Sequence, residues 1–146
     1  MDFKLTHNSP YNTQLVGPGL VYDVESRSKQ TTFRRNGAEI AEIEWHDMRS
    51  SLLRMGGQSL KLNDFFPRTS SLSAKRKFTI NGSVYTWSPN LKSMKLECDN
   101  VKVADFERHA LRDSKLCVSQ HAVNVLDAIV VTTICMWREE VESAAG

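Results

Sequence analysis

The sequence predicts a mainly β fold, a closed antiparallel β-barrel that encloses a hydrophobic C-terminal α-helix. Three observations lead to this prediction. Asn-Gly pairs divide β-prone runs at residues 36–37 and 81–82, short strand-like runs follow one another from 20 to 118, and a long apolar run begins at 120. A chain of 146 residues has the usual length of one domain.

The Asn-Gly pairs are the clearest local signals. Asn-Gly favours the positive φ angles of a type I′ turn, whose twist matches a two-residue β-hairpin. We therefore predict hairpins over residues 31–45 and 75–88. For AEIAEIEW, residues 38–45, a helix stays open as an alternative to the strand, because Ala and Glu are good helix formers.

Further strands are predicted around these two hairpins. They include LVYDVES (20–26), two short strands about Gly56-Gly57, and a hairpin over 94–108 that turns at Asp99-Asn100. About eight to ten strands in up-and-down order are typical of a sandwich or barrel. Residues 1–14 are polar, with Asn, Ser and Pro, and are expected to form a flexible segment before a single domain at 15–142.

The run QHAVNVLDAIVVTTICMW, residues 120–137, is predicted to be a buried helix. Ser119 can cap its start, and the run is far longer than an average strand. A membrane span is the competing interpretation, but Asn124 and Asp127 interrupt the run and a central Asp is costly in lipid. A helix that is apolar on nearly every side is normally enclosed by protein, so we expect the preceding strands to wrap it.

Composition limits the classes of function. The net charge of +2 is too small to indicate nucleic-acid binding. The three cysteines lack C-x-x-C spacing, so neither a zinc site nor a disulfide framework is indicated. The first residues lack the basic and apolar segments of a signal peptide, which favours a cytoplasmic location. We expect no metal and no cofactor.

Four segments together resemble a known group of proteins: GLVYDVES, AEIEWHDMRSSLLRMGG, FTINGSVYTW and HAVNVLDAIVVTTICMWRE. They resemble a family of small, largely uncharacterised fungal proteins, which is similar to the superfamily of tubby C-terminal, LURP-one-related and phospholipid scramblase proteins. The resemblance covers about residues 15–140. It implies a closed barrel of about twelve strands around a hydrophobic helix. It also implies a link to membranes, because tubby-like domains bind phosphoinositide headgroups and scramblases act at membranes.

Three residues are candidates for acid or base chemistry. His46 beside Asp47 suggests a general base and its orienting partner, although adjacent side chains on a strand point to opposite faces. Asp127 lies within the apolar helix, where a carboxylate must find hydrogen-bond donors or have its pKa raised. It is either a catalytic or ligand-binding acid, or a structural carboxylate that binds backbone or an arginine.

Two clusters of cations are candidates for ligand binding. Lys75, Arg76 and Lys77 form the densest cluster, and Arg34 and Arg35 form the second. If the two hairpins align, these side chains make one basic face for an anionic headgroup. The alternative is a solvated set of charges that protects strand edges from aggregation.

These observations favour a non-enzymatic intracellular binding module that recognises an anionic lipid headgroup or a protein partner. It would be cytoplasmic and peripheral at membranes. The alternative is a small enzyme with an acid/base site at a barrel mouth, built from His46, Asp47 or Asp127. Ligand identity and oligomeric state are not indicated by the sequence.

Overall fold

The structure, a computed structural model, describes residues 1–90, 92–109 and 113–145. These residues form a mainly β fold with one long C-terminal helix, as predicted. The strands are β1 (Asp2–Leu5), β2 (Asn12–Gly17), β3 (Leu20–Arg27), β4 (Gln30–Arg35), β5 (Ala38–Glu44), β6 (Leu52–Met55), β7 (Gln58–Lys61), β8 (Arg76–Ile80), β9 (Ser83–Pro89), β10 (Ser93–Cys98), β11 (Val101–Glu107) and β12 (Lys115–Val118). The helices are α1 (Leu62–Phe65), a 3-10 helix (Gln120–Val125) and α2 (Leu126–Ala145).

All twelve strands belong to one antiparallel sheet. Its order is β7-β6-β5-β4-β3-β2-β1-β12-β11-β10-β9-β8, so the first and last strands of the chain pair at its centre. Within the described residues the ladder does not continue from β7 to β8. At the start of β8, Arg68 makes an isolated bridge with Arg76, and the Lys77 N–H donates to the Pro67 carbonyl at 3.0 Å.

The Asn-Gly turns form as predicted. Asn36 and Gly37 have φ angles of 48° and 87°, and Asn81 and Gly82 have 52° and 80°. A helix over 38–45 is therefore the wrong alternative, since Ala38–Glu44 pairs with β4 as strand β5. The Asn36-Gly37 turn and the burial of Ala41 and Ile43 in the core outweigh the helix propensity of Ala and Glu.

The sheet begins within the segment that we expected to be flexible. Strand β1 pairs with β12, and it buries Phe3 and Leu5. Strand β2 buries Thr13 and Leu15 in the same alternating way. Each of these strands has only two inward-facing positions among polar residues, so composition alone conceals the period of two.

Helix α2 forms the centre of the core. Ser119 caps the 3-10 helix that precedes it, because its Oγ accepts a hydrogen bond from the His121 N–H at 3.3 Å. The ten consecutive residues from Ala128 to Trp137 are all buried. The helical stretch Gln120–Ala144 is long and apolar enough to cross a membrane, but 72% of its most apolar window is buried inside the protein.

Strands from distant parts of the sheet contact α2 on different sides. The Trp87 Nε1–H of β9 donates to Thr132 Oγ1 at 2.8 Å, and Phe106 of β11 packs against Trp137 with ring centroids 5.2 Å apart. Tyr22 of β3 binds Asp127. The sheet therefore curves around the helix.

The antiparallel strands give the molecule two distinct ends. The Asp127 end, at the first turn of α2, carries the two-residue turns at 18–19, 36–37, 56–57, 81–82 and 99–100. The Glu139 end, near the last turns of α2, carries the longer loops at 6–11, 45–51 and 62–75.

Candidate functional site

At the Asp127 end, one carboxylate receives three hydrogen bonds. The Tyr22 hydroxyl donates to Asp127 Oδ1 at 2.6 Å. The Arg35 guanidinium donates to both carboxylate oxygens, at 2.7 and 2.6 Å. The arginine partner that the structural interpretation of Asp127 required is therefore present.

The surroundings hold Tyr22 in its protonated state and Arg35 in its charged state. Burial raises the pKa of the Tyr22 hydroxyl, and its hydrogen bond to the Asp127 carboxylate raises it further. The hydrogen bond to Asp127 also raises the pKa of Arg35. Both groups consequently remain hydrogen-bond donors to Asp127 at neutral pH.

Two open cavities adjoin Asp127. One of about 630 Å³ extends along β5, β6 and β7 and includes Arg54 and the Gly56-Gly57 turn. The other, of about 270 Å³, lies between Tyr22, Arg35 and the start of α2. Small molecules can therefore approach the carboxylate, but three donor contacts already occupy most of its lone pairs.

His46 and Asp47 lie at the opposite end from Asp127. They follow β5, whose seven residues span roughly 20 Å between the two ends. His46 Nε2 lies 3.4 Å from Glu44 Oε2, whereas Asp47 accepts a hydrogen bond from Lys29 Nζ at 2.6 Å. Lys29 lowers the pKa of the Asp47 carboxyl. The structure thus brings neither residue to Asp127, and the Asp47 carboxylate accepts its hydrogen bond from Lys29 and not from His46.

The two predicted cation clusters are also separated. Arg34 and Arg35 lie at the Asp127 end, where Arg34 Nη1 is 4.0 Å from Glu25 Oε1. Lys75, Arg76 and Lys77 lie at the Glu139 end. Successive side chains of this cluster differ in exposure: Lys75 and Lys77 are exposed, whereas Arg76 turns inward and is half-buried. The single basic face that depended on aligned hairpins does not form.

The Glu139 end is dominated by arginine–glutamate pairs. Arg76 and Arg68 both donate to the Glu139 carboxylate, Arg76 Nε at 2.8 Å and Arg68 Nη2 at 2.8 Å. Arg76 also donates to the Phe66 carbonyl at 3.1 Å. In addition, Arg108 binds Glu140, and Arg138 Nε lies 2.9 Å from Glu142 Oε1. These four guanidiniums are thus matched by carboxylates of α2.

A cavity of about 420 Å³ opens between these pairs. Its lining includes Trp45, Phe66, Arg76 and Arg138. The Arg138 guanidinium lies over the Trp45 ring, 4.2 Å from its centroid, which is a cation–π contact. The cavity therefore combines aromatic walls with charges that are already paired.

Two loops beside this cavity expose apolar side chains. Met48, in the loop at 45–51, is 97% exposed, and Leu72, in the loop at 67–75, is 98% exposed. The remaining large apolar residues on the described surface are 41% to 58% exposed. Sequence reasoning missed both residues; the available signal was a single large apolar residue within each of two polar stretches, HDMRS and RTSSLSAK.

Exposed cations follow both loop tips in the sequence. Arg49 follows Met48, and Lys75 and Lys77 follow Leu72. The loops are held near one another through α1, because the Leu62 N–H donates to the Ser51 carbonyl at 2.8 Å and Pro67 binds Lys77. Basic and apolar side chains thus lie together at this end.

The cysteines and histidines form no second site. In the described parts of the chain, no group of three or more His, Cys, Asp or Glu side chains could hold a metal ion. Burial raises the pKa of the Cys135 thiol to about 12. Burial, together with Asp2, raises the pKa of Cys117 to about 11. Neither thiol is activated as a nucleophile at neutral pH.

Comparison with known proteins gives a match to a sequence family. The sequence profile of a family of unknown function, DUF6593, matches residues 8–141, which is most of the chain. No curated protein and no solved structure matches.

Proposed function

We propose that this chain, which belongs to the DUF6593 family of unknown function, is a non-enzymatic module that binds the surface of anionic membranes through its Glu139 end. The observation that carries the proposal is the near-complete exposure of Met48 and Leu72 at loop tips beside Arg49, Lys75 and Lys77. Apolar side chains that enter the lipid boundary and cations that attract acidic headgroups are the two components of peripheral membrane binding.

The magnitudes are sufficient for reversible binding. Burying a Leu or Met side chain that is fully exposed contributes about 1.5 to 3 kcal/mol. Each Lys or Arg near an acidic bilayer adds about 1 kcal/mol. Two apolar tips and three cations therefore supply about 6 to 9 kcal/mol, from which the loss of translational and rotational freedom is subtracted. Such binding is reversible and sensitive to salt.

Charge at this end favours Lys75 and Lys77 over Arg76 as the membrane contacts. Arg76 is committed to Glu139 and to the Phe66 carbonyl. Lys77 has an exposed side chain on the other side of β8, and Lys75, immediately before the strand, is exposed as well. The cationic contribution therefore comes from alternate residues of the KRK segment, and not from all three.

A closed barrel around α2, of the tubby-like kind, is part of the proposal. It is supported by the burial of Ala128–Trp137 and by the position of α1 and the Arg68–Arg76 bridge between the two edge strands. A barrel would hold the two loops at a constant separation. Hydrogen exchange should then be slow along the backbone of residues 128–137, and exchange as fast as in an exposed helix would contradict closure.

Sedimentation with lipid vesicles tests the membrane proposal. The chain should sediment with vesicles that contain phosphatidylserine or a phosphoinositide, stay in solution with phosphatidylcholine alone, and dissociate as salt is raised. The source of the anionic headgroup is decided by comparing the two acidic lipids at equal charge. If the chain sediments with none of the acidic vesicles, the proposal is wrong and a protein partner is favoured.

Matched variants locate the binding end. Met48→Gln with Leu72→Gln should weaken vesicle binding at least a hundredfold, and Lys75→Glu with Lys77→Glu should weaken it at least tenfold. Val101→Ser and Lys102→Glu make the same kinds of change at the Asp127 end, where Val101 is 58% exposed. These controls should bind like the unmodified chain; equal losses in both sets would exclude an oriented docking surface.

A further inference from the structure

We propose that Ser71 is a phosphorylation site and that its phosphorylation releases the Glu139 end from acidic membranes. The inference rests on the membrane-binding function proposed above and adds its regulation. It starts from the Ser-rich loop at 67–75, which lies between α1 and β8 and carries Leu72 at its tip.

The loop is exposed and is held by few contacts. The Thr69 N–H donates to the Lys75 carbonyl at 3.0 Å, and the Ser73 N–H donates to the Ser70 carbonyl at 3.2 Å. Ser71 lies at the turn, is exposed, and its hydroxyl has no hydrogen-bond partner among the described residues. A segment held by so few solvent-exposed bonds opens easily, as entry into a kinase cleft requires.

The spacing of Arg68 distinguishes Ser71 from its neighbours. Many serine kinases select an arginine three residues before the acceptor through complementary charge. Arg68 stands at that distance from Ser71, whereas Ser70 and Ser73 follow Pro67 and Ser70 at that distance. The Arg68 side chain is 47% exposed. Its release from Glu139 costs little, because ion pairs as exposed to water as this one contribute little to stability.

Thr79 is the other hydroxyl residue of the chain that follows an arginine by three positions. It lies within strand β8, where pairing with β9 holds the backbone. Its arginine is Arg76, whose side chain is only 16% exposed and is held by Glu139 and Phe66. The structure therefore selects Ser71 between the two matching positions.

The transfer needs an arginine-directed serine kinase with ATP and Mg²⁺. Ser71 Oγ attacks the γ-phosphorus, an Oγ–P bond forms, and the bond from that phosphorus to the β–γ bridging oxygen breaks. ADP leaves and the hydroxyl proton passes to the kinase base and then to solvent. The phosphoserine gains a charge of about −1.5 to −2 at neutral pH.

This charge opposes both components of docking. It stands next to Leu72, so insertion of that side chain would bring a phosphate to the acidic headgroups. It also lies close in sequence to Lys75 and Lys77, whose attraction for the membrane it offsets. We expect the affinity for acidic vesicles to fall at least tenfold.

The test uses the full chain, a purified arginine-directed kinase, ATP and Mg²⁺. Mass spectrometry of peptides should place one phosphoryl group on Ser71, and Ser71→Ala should abolish its incorporation. The phosphorylated chain and Ser71→Glu should both sediment less with phosphatidylserine vesicles. Gln58→Glu adds a negative charge at the Asp127 end and should sediment like the unmodified chain.

The outcomes separate the two proposals. Phosphate on Thr79 or elsewhere, with Ser71 unmodified, would overturn the assignment of the site. Full phosphorylation of Ser71 with unchanged sedimentation would overturn its role in release. If the unmodified chain does not bind acidic vesicles, the proposed function and the release both fail, while the mass spectrum still decides whether Ser71 is the acceptor.

Discussion

The two ends of α2 differ in how the carboxylates of the helix are bound by side chains of the sheet. Each places carboxylates of the helix near arginines from the sheet. At the Asp127 end, one aspartate binds one arginine and one buried tyrosine. At the Glu139 end, successive glutamates bind Arg76, Arg68 and Arg108.

The backbone around the ends differs as well. Two-residue turns close the Asp127 end, and every residue of these turns except Pro18 has a positive φ. Apart from the two-residue turn at 28–29, the loops of the Glu139 end are longer, and two of them expose apolar tips at Met48 and Leu72. Short turns leave little freedom for a binding surface, whereas longer loops on a rigid sheet can present one. These differences are consistent with structural anchoring at the Asp127 end and with the proposed membrane binding at the Glu139 end.

The largest expected effect on stability is at the Asp127 end. Tyr22→Phe removes the hydroxyl that donates to Asp127, and a hydrogen bond to a charged group is worth about 1.5 to 3 kcal/mol. Urea unfolding should show a loss of this size. Tyr85→Phe is the control, because Tyr85 is buried and stacks on Phe78 with ring centroids 5.0 Å apart, and its ring is kept. Equal losses in both variants would mean that Asp127 is not the cause.

A smaller loss of stability is expected at the Glu139 end. Glu139→Gln keeps the shape of the side chain but removes the charge that Arg76 and Arg68 share. Since the Glu139 side chain is more than one-third exposed, water screens the pair, and we expect a loss of about 1 kcal/mol in unfolding free energy. Asp47→Asn, in the exposed Lys29 pair at the same end, should leave the unfolding midpoint unchanged. A larger loss from Asp47→Asn would reverse the ranking of the two pairs.

The smallest effect is a difference in alkaline stability. Because the pKa of Tyr22 in the folded chain is raised above its ordinary value of 10.0, the unfolded chain loses this proton first as the pH rises. The contribution is complete below pH 10.0 and is lost above it. Between about pH 9 and pH 10.5 the loss is less than about 1 kcal/mol for one such group. Tyr22→Phe should reduce this slope, although Tyr85 and the cysteines, whose pKa values are also raised, retain part of it. An unchanged slope would contradict the role of Tyr22.

Some site residues could be identified from the sequence and others could not. Asp127 stood out because a carboxylate within an apolar helix needs a partner, and the structure provides Arg35 and Tyr22. The partnership itself joins residues 92 positions apart, which no local pattern reveals. Met48 and Leu72 were missed because exposure of a single apolar residue in a polar loop depends on how the loop projects from the sheet.

Local chemistry determined where the chain turns and which run becomes the central helix. Asn36-Gly37 and Asn81-Gly82 prefer positive φ wherever they occur, and twenty residues without Gly or Pro that are apolar on nearly every side have few alternatives to a buried helix. Tertiary structure alone decided that β1 pairs with β12 and that the two cation clusters lie at opposite ends. It also decided that Lys75 and Lys77 face solvent while Arg76 binds Glu139. These outcomes depend on register and on curvature of the sheet around α2, which are properties of the whole chain and not of any segment.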